Sequence, residues 1–244
     1  MQDEVALSGG RITQGVYKKG NQVIRPCCPN SVFVHNVLKW LEQKGIDCAP
    51  RFIGLTEEGR EITSFLEGSA PDDLGYFSNE QLSEAGRIIK KLHMTLEDFP
   101  GCTEGQTVCH NDLSPCNFMF KDDMPYAVFD WDAAAIGNPI DDVAYAIWMW
   151  CDIGNPDNPP EDVGNRIKII LDSYGLQDTG RGDIAANIHK QIQRVNTSMT
   201  KFLTDTKQHD KMKPFHDWIN GCTSWLSDHK KEIEQVISIL TTSP

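Results

Sequence analysis

The hydrophobic period of this chain changes once, near Gly68, and that change limits the fold more than any other feature. Before it, short runs read as strands around a single helix. RITQGVYKKGNQVIRP predicts two strands joined at Lys19-Gly20-Asn21, with Gly20 and Asn21 supplying the positive φ of a tight hairpin, and with Pro26 and Pro29 ending the second strand. Asn30 or Ser31 caps a helix that runs to about Lys44 on Val34, Val37, Leu38 and Leu41, and Gly45 stops it. RFIGLTEEGREITSFLEG is a second hairpin turning at Glu58-Gly59. Beyond the turn-rich SAPDDLGYFS the spacing is helical: about Asn79 to Leu96, Asp141 to Cys151 and Glu161 to Tyr174, then two long helices marked by Ile184, Ile188, Ile192 and by Trp218, Cys222, Trp225. The expectation is an α+β protein with two lobes, a small β-rich one over residues 1–68 and a larger helical one over 69–244, with a cleft near residues 66–71.

Composition excludes several classes. A hydrophobic content of 39% suffices for a real core, while 35 acidic residues against 23 basic ones, a net charge of −12, argue against a nucleic-acid partner. No run of about 18 uncharged apolar residues is present, and MQDEVALSGG lacks the apolar stretch of a signal peptide, so a cytoplasmic protein with no membrane segment is predicted. The eight cysteines form no CxxC pair and are read as reduced thiols.

Within this frame VCHNDLSPCNFMF, residues 108 to 120, clusters His110, Asn111, Asp112 and Asn117 among apolar neighbours. Buried polar groups are costly without partners, so either a turn is being tied or chemistry is being done. Asp130 and Asp132 follow in YAVFDWDAAAIGNPIDD. The strand ending at Phe129 and the FMF strand before the KDDMP turn form an antiparallel pair, which brings Asn117 and Asp130 to one end. A carboxylate and a carboxamide suit Mg²⁺, a hard ion that takes its other ligands from waters and phosphates. Asp112 then stands apart as the carboxylate that orients a hydroxyl and accepts its proton in phosphoryl transfer.

HNDLSPCN followed by FDWD resembles the catalytic loop and metal-binding segment of the aminoglycoside phosphotransferase and choline kinase family, relatives of protein kinases. Leu92-His93 before the loop and GNPIDDVAYAIW after it extend the likeness along the chain. The resemblance implies a bilobal protein-kinase-like fold, Asp112 as catalytic base, Asn117 and Asp130 as magnesium ligands, and Asp132 as a holder of a second metal or a water. It implies support of the loop by His110 and by Asp141, with Asp141 or Asp142 capping the next helix or bracing the loop. It also implies Arg25 on the nucleotide phosphates and backbone groups of Phe65, Leu66 and Glu67 on the base, residues that serve equally as an ordinary edge strand and linker. The cofactors implied are Mg²⁺ and ATP, or GTP, and the partners are a nucleotide and a small-molecule acceptor, on a monomer or homodimer.

Two features depart from that pattern. Family members pair the phosphate-binding cation with a glutamate on the following helix, yet Val34 and His35 stand where that glutamate belongs and Glu42 lies two turns further on. Arg25 therefore lacks a carboxylate partner or finds another. The segment SGGRITQG offers Gly9, Gly10 and Gly15 but no GxGxxG, and is an ordinary hairpin turn as readily as a nucleotide loop. Two functions stay open: a kinase for a hydroxyl on a small molecule, or a catalytically impaired nucleotide-binding module that acts through a partner. A metal-dependent hydrolase on His110, Asp112 and Asp130 is less favoured, because two-metal sites gather more ligands. From Asp122 to Asp183 there are 13 acidic residues and 3 basic ones, which suits a cationic acceptor such as an aminoglycoside or amino alcohol and equally a solvated acidic surface. Trp148, Trp150, Trp218 and Trp225 line such a pocket or, at helical spacing, form core.

Overall fold

In a computed structural model the chain is described over residues 4–7, 15–176, 181, 183–205 and 209–239. It forms two compact units, one of residues 1–73 and 91–139, the other of residues 74–90 and 140–244. The loop that carries Asp112 thus shares a unit with the N-terminal sheet.

That sheet is antiparallel, in the order β1 (Glu4–Ala6), β2 (Tyr17–Lys19), β3 (Gln22–Arg25), β5 (Glu61–Ser64), β4 (Phe52–Leu55). The β2–β3 turn is the two-residue Gly20-Asn21 loop between the Lys19 and Gln22 pair. Gly20 takes φ +59°, whereas Asn21 does not adopt the positive φ expected of it. A positive φ at the first central residue alone is enough for a type II′ turn, which matches the strand twist. Gly59, at φ +77°, turns β4 into β5 as its position predicts.

Helix α1 (Ser31–Gln43) lies between β3 and β4 in sequence and buries Val34, Val37, Leu38 and Leu41. Its start differs from expectation. Neither Asn30 nor Ser31 caps it through a side chain; Asn30 Nδ2 instead donates to the Asp132 and Ala134 carbonyls at 3.2 and 2.8 Å. A capping residue has been diverted to hold a distant loop.

The same unit carries two small ribbons. β6 (Thr107–Cys109) pairs with β9 (Ala135–Gly137), a pairing the sequence did not announce. β7 (Phe118–Lys121) pairs with β8 (Met124–Val128), as expected, with Asp122 and Asp123 at φ +50° and +63° in the turn between them. Ser69 bridges to Phe120 of β7 through two backbone hydrogen bonds of 3.1 and 2.8 Å. Gly68 makes the approach possible: at φ +136°, a Cβ on it would lie 2.1 Å from the Phe120 carbonyl oxygen.

Helix α2 (Asn79–Leu96) runs from the second unit into the first. The second unit is otherwise α3 (Pro139–Trp150), α4 (Pro160–Tyr174), α5 (Ile184–Asp205) and α6 (His209–Ile239), close to the spans that hydrophobic spacing predicts. Trp148 and Trp150 are fully buried, and Trp148 stacks on Trp218 with centroids 5.3 Å apart. Trp148 and Trp150 are core, each large buried side chain contributing about 1.5–3 kcal/mol, whereas Trp218 and Trp225 are only partly buried. Buried Arg166 donates to the Phe77 and Trp150 carbonyls at 2.9 and 2.8 Å, satisfying the end of α3. All eight cysteines are free thiols, and among the described residues no helix is long and apolar enough to cross a membrane.

Two alanine substitutions separate conformation from space. Gly59→Ala meets nothing within 4 Å and pays only for its left-handed φ, about 1 kcal/mol. Gly68→Ala must also displace the Phe120 carbonyl, so it is expected to cost about 2 kcal/mol or more. Urea unfolding of the two variants beside the parent checks the order.

Candidate active site

The site is built from the ends of four short strands, β3, β6, β7 and β8. β6 delivers the chain to His110, and Asn111 then turns it with φ +64°, so that Asp112 leaves the strand direction at once. Asn111 Nδ2 donates to the Ala133 carbonyl at 3.0 Å. After Ser114, a single 3-10 turn at Pro115–Asn117 leads into β7. Asn117 Nδ2 donates to the Asp112 carbonyl at 2.9 Å, and the Asn117 carbonyl accepts from the Phe129 N–H at 3.0 Å. Asn117 and Asp130 are therefore neighbours at one end of the β7–β8 hairpin, as their spacing predicts.

Beyond β8 the chain reverses sharply. Asp130 sits at φ +63° and Asp132 in the 3-10 turn Trp131–Ala133. This strained turn is held by its neighbours. His110 Nε2 donates to the Phe129 carbonyl at 3.0 Å and packs edge-on to Trp131, while Trp131 Nε1 donates to the Val128 carbonyl at 3.2 Å. His110 is buried and faces the turn that presents Asp130.

Arg25, at the end of β3, reaches this turn. Its Nη1 lies 3.1 Å from Asp130 Oδ1 and 3.2 Å from Asp132 Oδ2, and its Nη2 pairs with Asp132 Oδ1. Its Nε pairs with Glu61. Burial pulls the guanidinium pKa down, but Asp132, Glu61 and Asp130 together outweigh that and hold it above the usual arginine value, so it stays charged. Desolvation, and then the neighbouring Asp132 carboxylate, push the Asp130 carboxyl above its ordinary 3.8 despite the pull of Arg25.

Glu61 is the residue that sequence reasoning missed. It faces Arg25 directly in the β3–β5 register, and no local pattern reveals which strand pairs with which. His35, found at the position where a helix glutamate was sought, bonds Glu61 at 2.7 Å. Glu42 is occupied by Arg51 at 3.0 Å. Cys27, His35 and Glu61 bring donor atoms within 4.8 Å of one another, yet the Arg25 guanidinium already balances the charge of that carboxylate.

The remaining predicted residues fall as follows. Phe65 N–H donates to the Asn21 carbonyl at 3.0 Å, and the Lys18 ammonium sits 3.6 Å above the Phe65 ring. The Glu67 carbonyl accepts from Tyr126 Oη at 2.7 Å. Between them the backbone groups of Leu66 have no hydrogen-bond partner among the described residues. Asp141 lies in the other unit, where Lys190 and Gln191 of α5 donate to it at 2.7 and 2.8 Å. Gly9 and Gly10 lie outside the described residues.

The donors fit a magnesium ion. Asn117 spends its N–H on Asp112, leaving its Oδ1 as the available ligand atom, and neither that oxygen nor Asp130 Oδ2 has a partner among the described residues. Both are hard oxygens.

Comparison with known proteins bears on the same segment of the chain. Residues 103–158, which hold the loop and the Asp130 turn, match the model of the "Phosphotransferase enzyme family". The chain resembles this family and has its fold. A trifolitoxin immunity protein of Rhizobium leguminosarum bv. trifolii is 26% identical over 264 aligned residues, covering 98% of this chain and all of that one. Among solved structures, a microcompartment-associated aminopropanol kinase superposes with TM-score 0.65 at 12% identity, covering 96% and 94% of the two chains. An amicoumacin kinase in complex with AMP-PNP and Ca²⁺ gives 0.64 at 12% identity, covering 95% and 88%. The fold of this chain is thus the one that these kinases have.

The raised Asp130 pKa has a sign that can be tested. An acid that holds its proton more tightly folded than unfolded contributes its full stability below the unfolded value of 3.8, and that contribution is lost as pH rises through the folded value. At neutral pH the Asp130 charge is a net cost. Asp130→Asn is expected to raise the melting temperature of metal-free protein at pH 7, with a gain that shrinks toward pH 4, as scanning calorimetry in EDTA would show.

Proposed function

We propose that the protein is a Mg²⁺-dependent small-molecule kinase that transfers the γ-phosphate of ATP, or of GTP, to an acceptor hydroxyl. The observation that carries the reading is the convergence of Asn117, Asp130, Asp132 and Arg25 at one end of the β7–β8 hairpin, one turn from Asp112. In this reading Asp112 receives the acceptor hydroxyl, orients it and takes its proton late, since the transition state of phosphoryl transfer is loose. Asn117 and Asp130 hold the magnesium ion, whose chemistry is to neutralise the phosphate oxygens, and Asp132 supports it. Arg25 carries positive charge to the phosphates. The unpartnered backbone of Leu66, flanked by engaged Phe65 and Glu67, suits the edge of a nucleotide base.

For the acceptor, the full-length relative is an immunity protein, and two solved neighbours act on amicoumacin and on aminopropanol, by their descriptions. These support a hydroxyl-bearing toxic or amine-containing compound that phosphorylation inactivates. The reading as an impaired nucleotide-binding module is motivated by the absent helix glutamate and by the unorthodox glycine segment; the Arg25–Glu61 pair speaks against the first of these, since it gives Arg25 a carboxylate partner.

Purified protein with Mg²⁺ and ATP is expected to phosphorylate at least one member of a panel of amino alcohols, amino sugars and hydroxyl-bearing antibiotics. Asp112→Asn should lower turnover about 10²–10⁴-fold while leaving the melting temperature near that of the parent. If Asp112→Asn turns over like the parent, the assignment of the base is wrong. If no acceptor in the panel is phosphorylated under either nucleotide, the kinase reading falls.

A further inference from the structure

Glu61 is 1% exposed, and both of its oxygens are committed. Oε1 takes the Arg25 Nε–H, while Oε2 meets His35 Nε2 at 2.7 Å and the Ser31 hydroxyl at 3.2 Å. His35 is fixed in turn by stacking on Phe52, centroids 3.8 Å apart. A carboxylate this buried is tolerated only because it is paired and fully hydrogen-bonded. Such an arrangement does more than offset a charge, because it fixes the direction in which the guanidinium points.

We propose that Glu61 is the positioning residue for Arg25, acting from the neighbouring strand, and that α1 contributes through His35 and Ser31 the groups that hold Glu61. The proposal rests on the kinase reading of the site. Two consequences follow from the geometry. Arg25 and Glu61 are direct cross-strand partners in one sheet, so the ladder hydrogen bonds set their backbone separation while α1 braces the carboxylate. The charged pair is therefore carried by the sheet, unlike one whose carboxylate rides on a helix. Second, the site requires an arginine. Nε points to Glu61 while Nη1 and Nη2 point to Asp130 and Asp132, a three-way fork that the compact ammonium of a lysine does not reproduce.

The test uses the full chain and three variants: Glu61→Gln, Arg25→Lys, and the double variant Glu61→Gln/His35→Glu, which moves the carboxylate onto the helix. Calorimetric titration with Mg·ATP and with a non-hydrolysable ATP analogue reads positioning without turnover. Both single variants are expected to weaken nucleotide binding about tenfold, the effect of losing one partner of a coupled charge pair. They should raise the KM for nucleotide while leaving the KM for the acceptor unchanged, and the double variant should recover most of the lost affinity. A Glu61→Gln protein that melts earlier but binds nucleotide like the parent would show a purely structural pair and overturn the proposal. So would an Arg25→Lys protein with unaltered affinity, which remains readable if Glu61→Gln does not fold. A parent that binds nucleotide but phosphorylates no acceptor defeats the kinase reading alone, because the affinities still decide the role of Glu61.

Discussion

The Arg25 guanidinium joins the two halves of the site. It reaches from the end of β3 to one carboxylate on the adjacent strand and two on the turn after β8. Without that cation, Asp130 and Asp132 would face each other on a tight turn with no opposing charge, and Glu61 would be a buried anion balanced only by His35 and Ser31. One side chain thus ties the Asp130–Asp132 turn to the end of the β3–β5 ladder and balances the charge of both.

Neutral hydrogen bonds brace this charged centre. Asn30 ties the start of α1 to the Asp132 turn, Asn111 ties the Asp112 loop to Ala133, and Asn117 ties itself to Asp112. Each asparagine spends its amide N–H groups on backbone carbonyls in strained or irregular chain, where regular ladders supply no partner. The polar cluster among apolar residues is a set of ties for a turn. Burial and the neighbouring Asp132 carboxylate hold the Asp130 carboxyl above its ordinary value despite the pull of Arg25, so this arrangement makes the carboxylate's charge more costly than it is in water.

Much of this was legible along the chain. Hydrophobic spacing marked α1 through α6 to within a few residues, the glycines at 20 and 59 marked the hairpins, and the H-x-D-x-x-x-x-N run marked the loop. The errors have a common cause. Asn30 looks like a helix cap because its side chain is suited to one, yet a carbonyl brought near by folding claimed it. The β6–β9 pairing joins residues almost thirty positions apart, through strands of three residues each, too short to carry a pattern.

Sequence by itself determined the order of elements and the residues that the loop presents, because periodicity, turn residues and motif spacing are local properties of the chain. Only the tertiary structure decided where Arg25 finds its carboxylate. Strand register is a nonlocal choice made by the whole sheet, and it placed Glu61 opposite Arg25, with His35 of α1 bonded to that carboxylate.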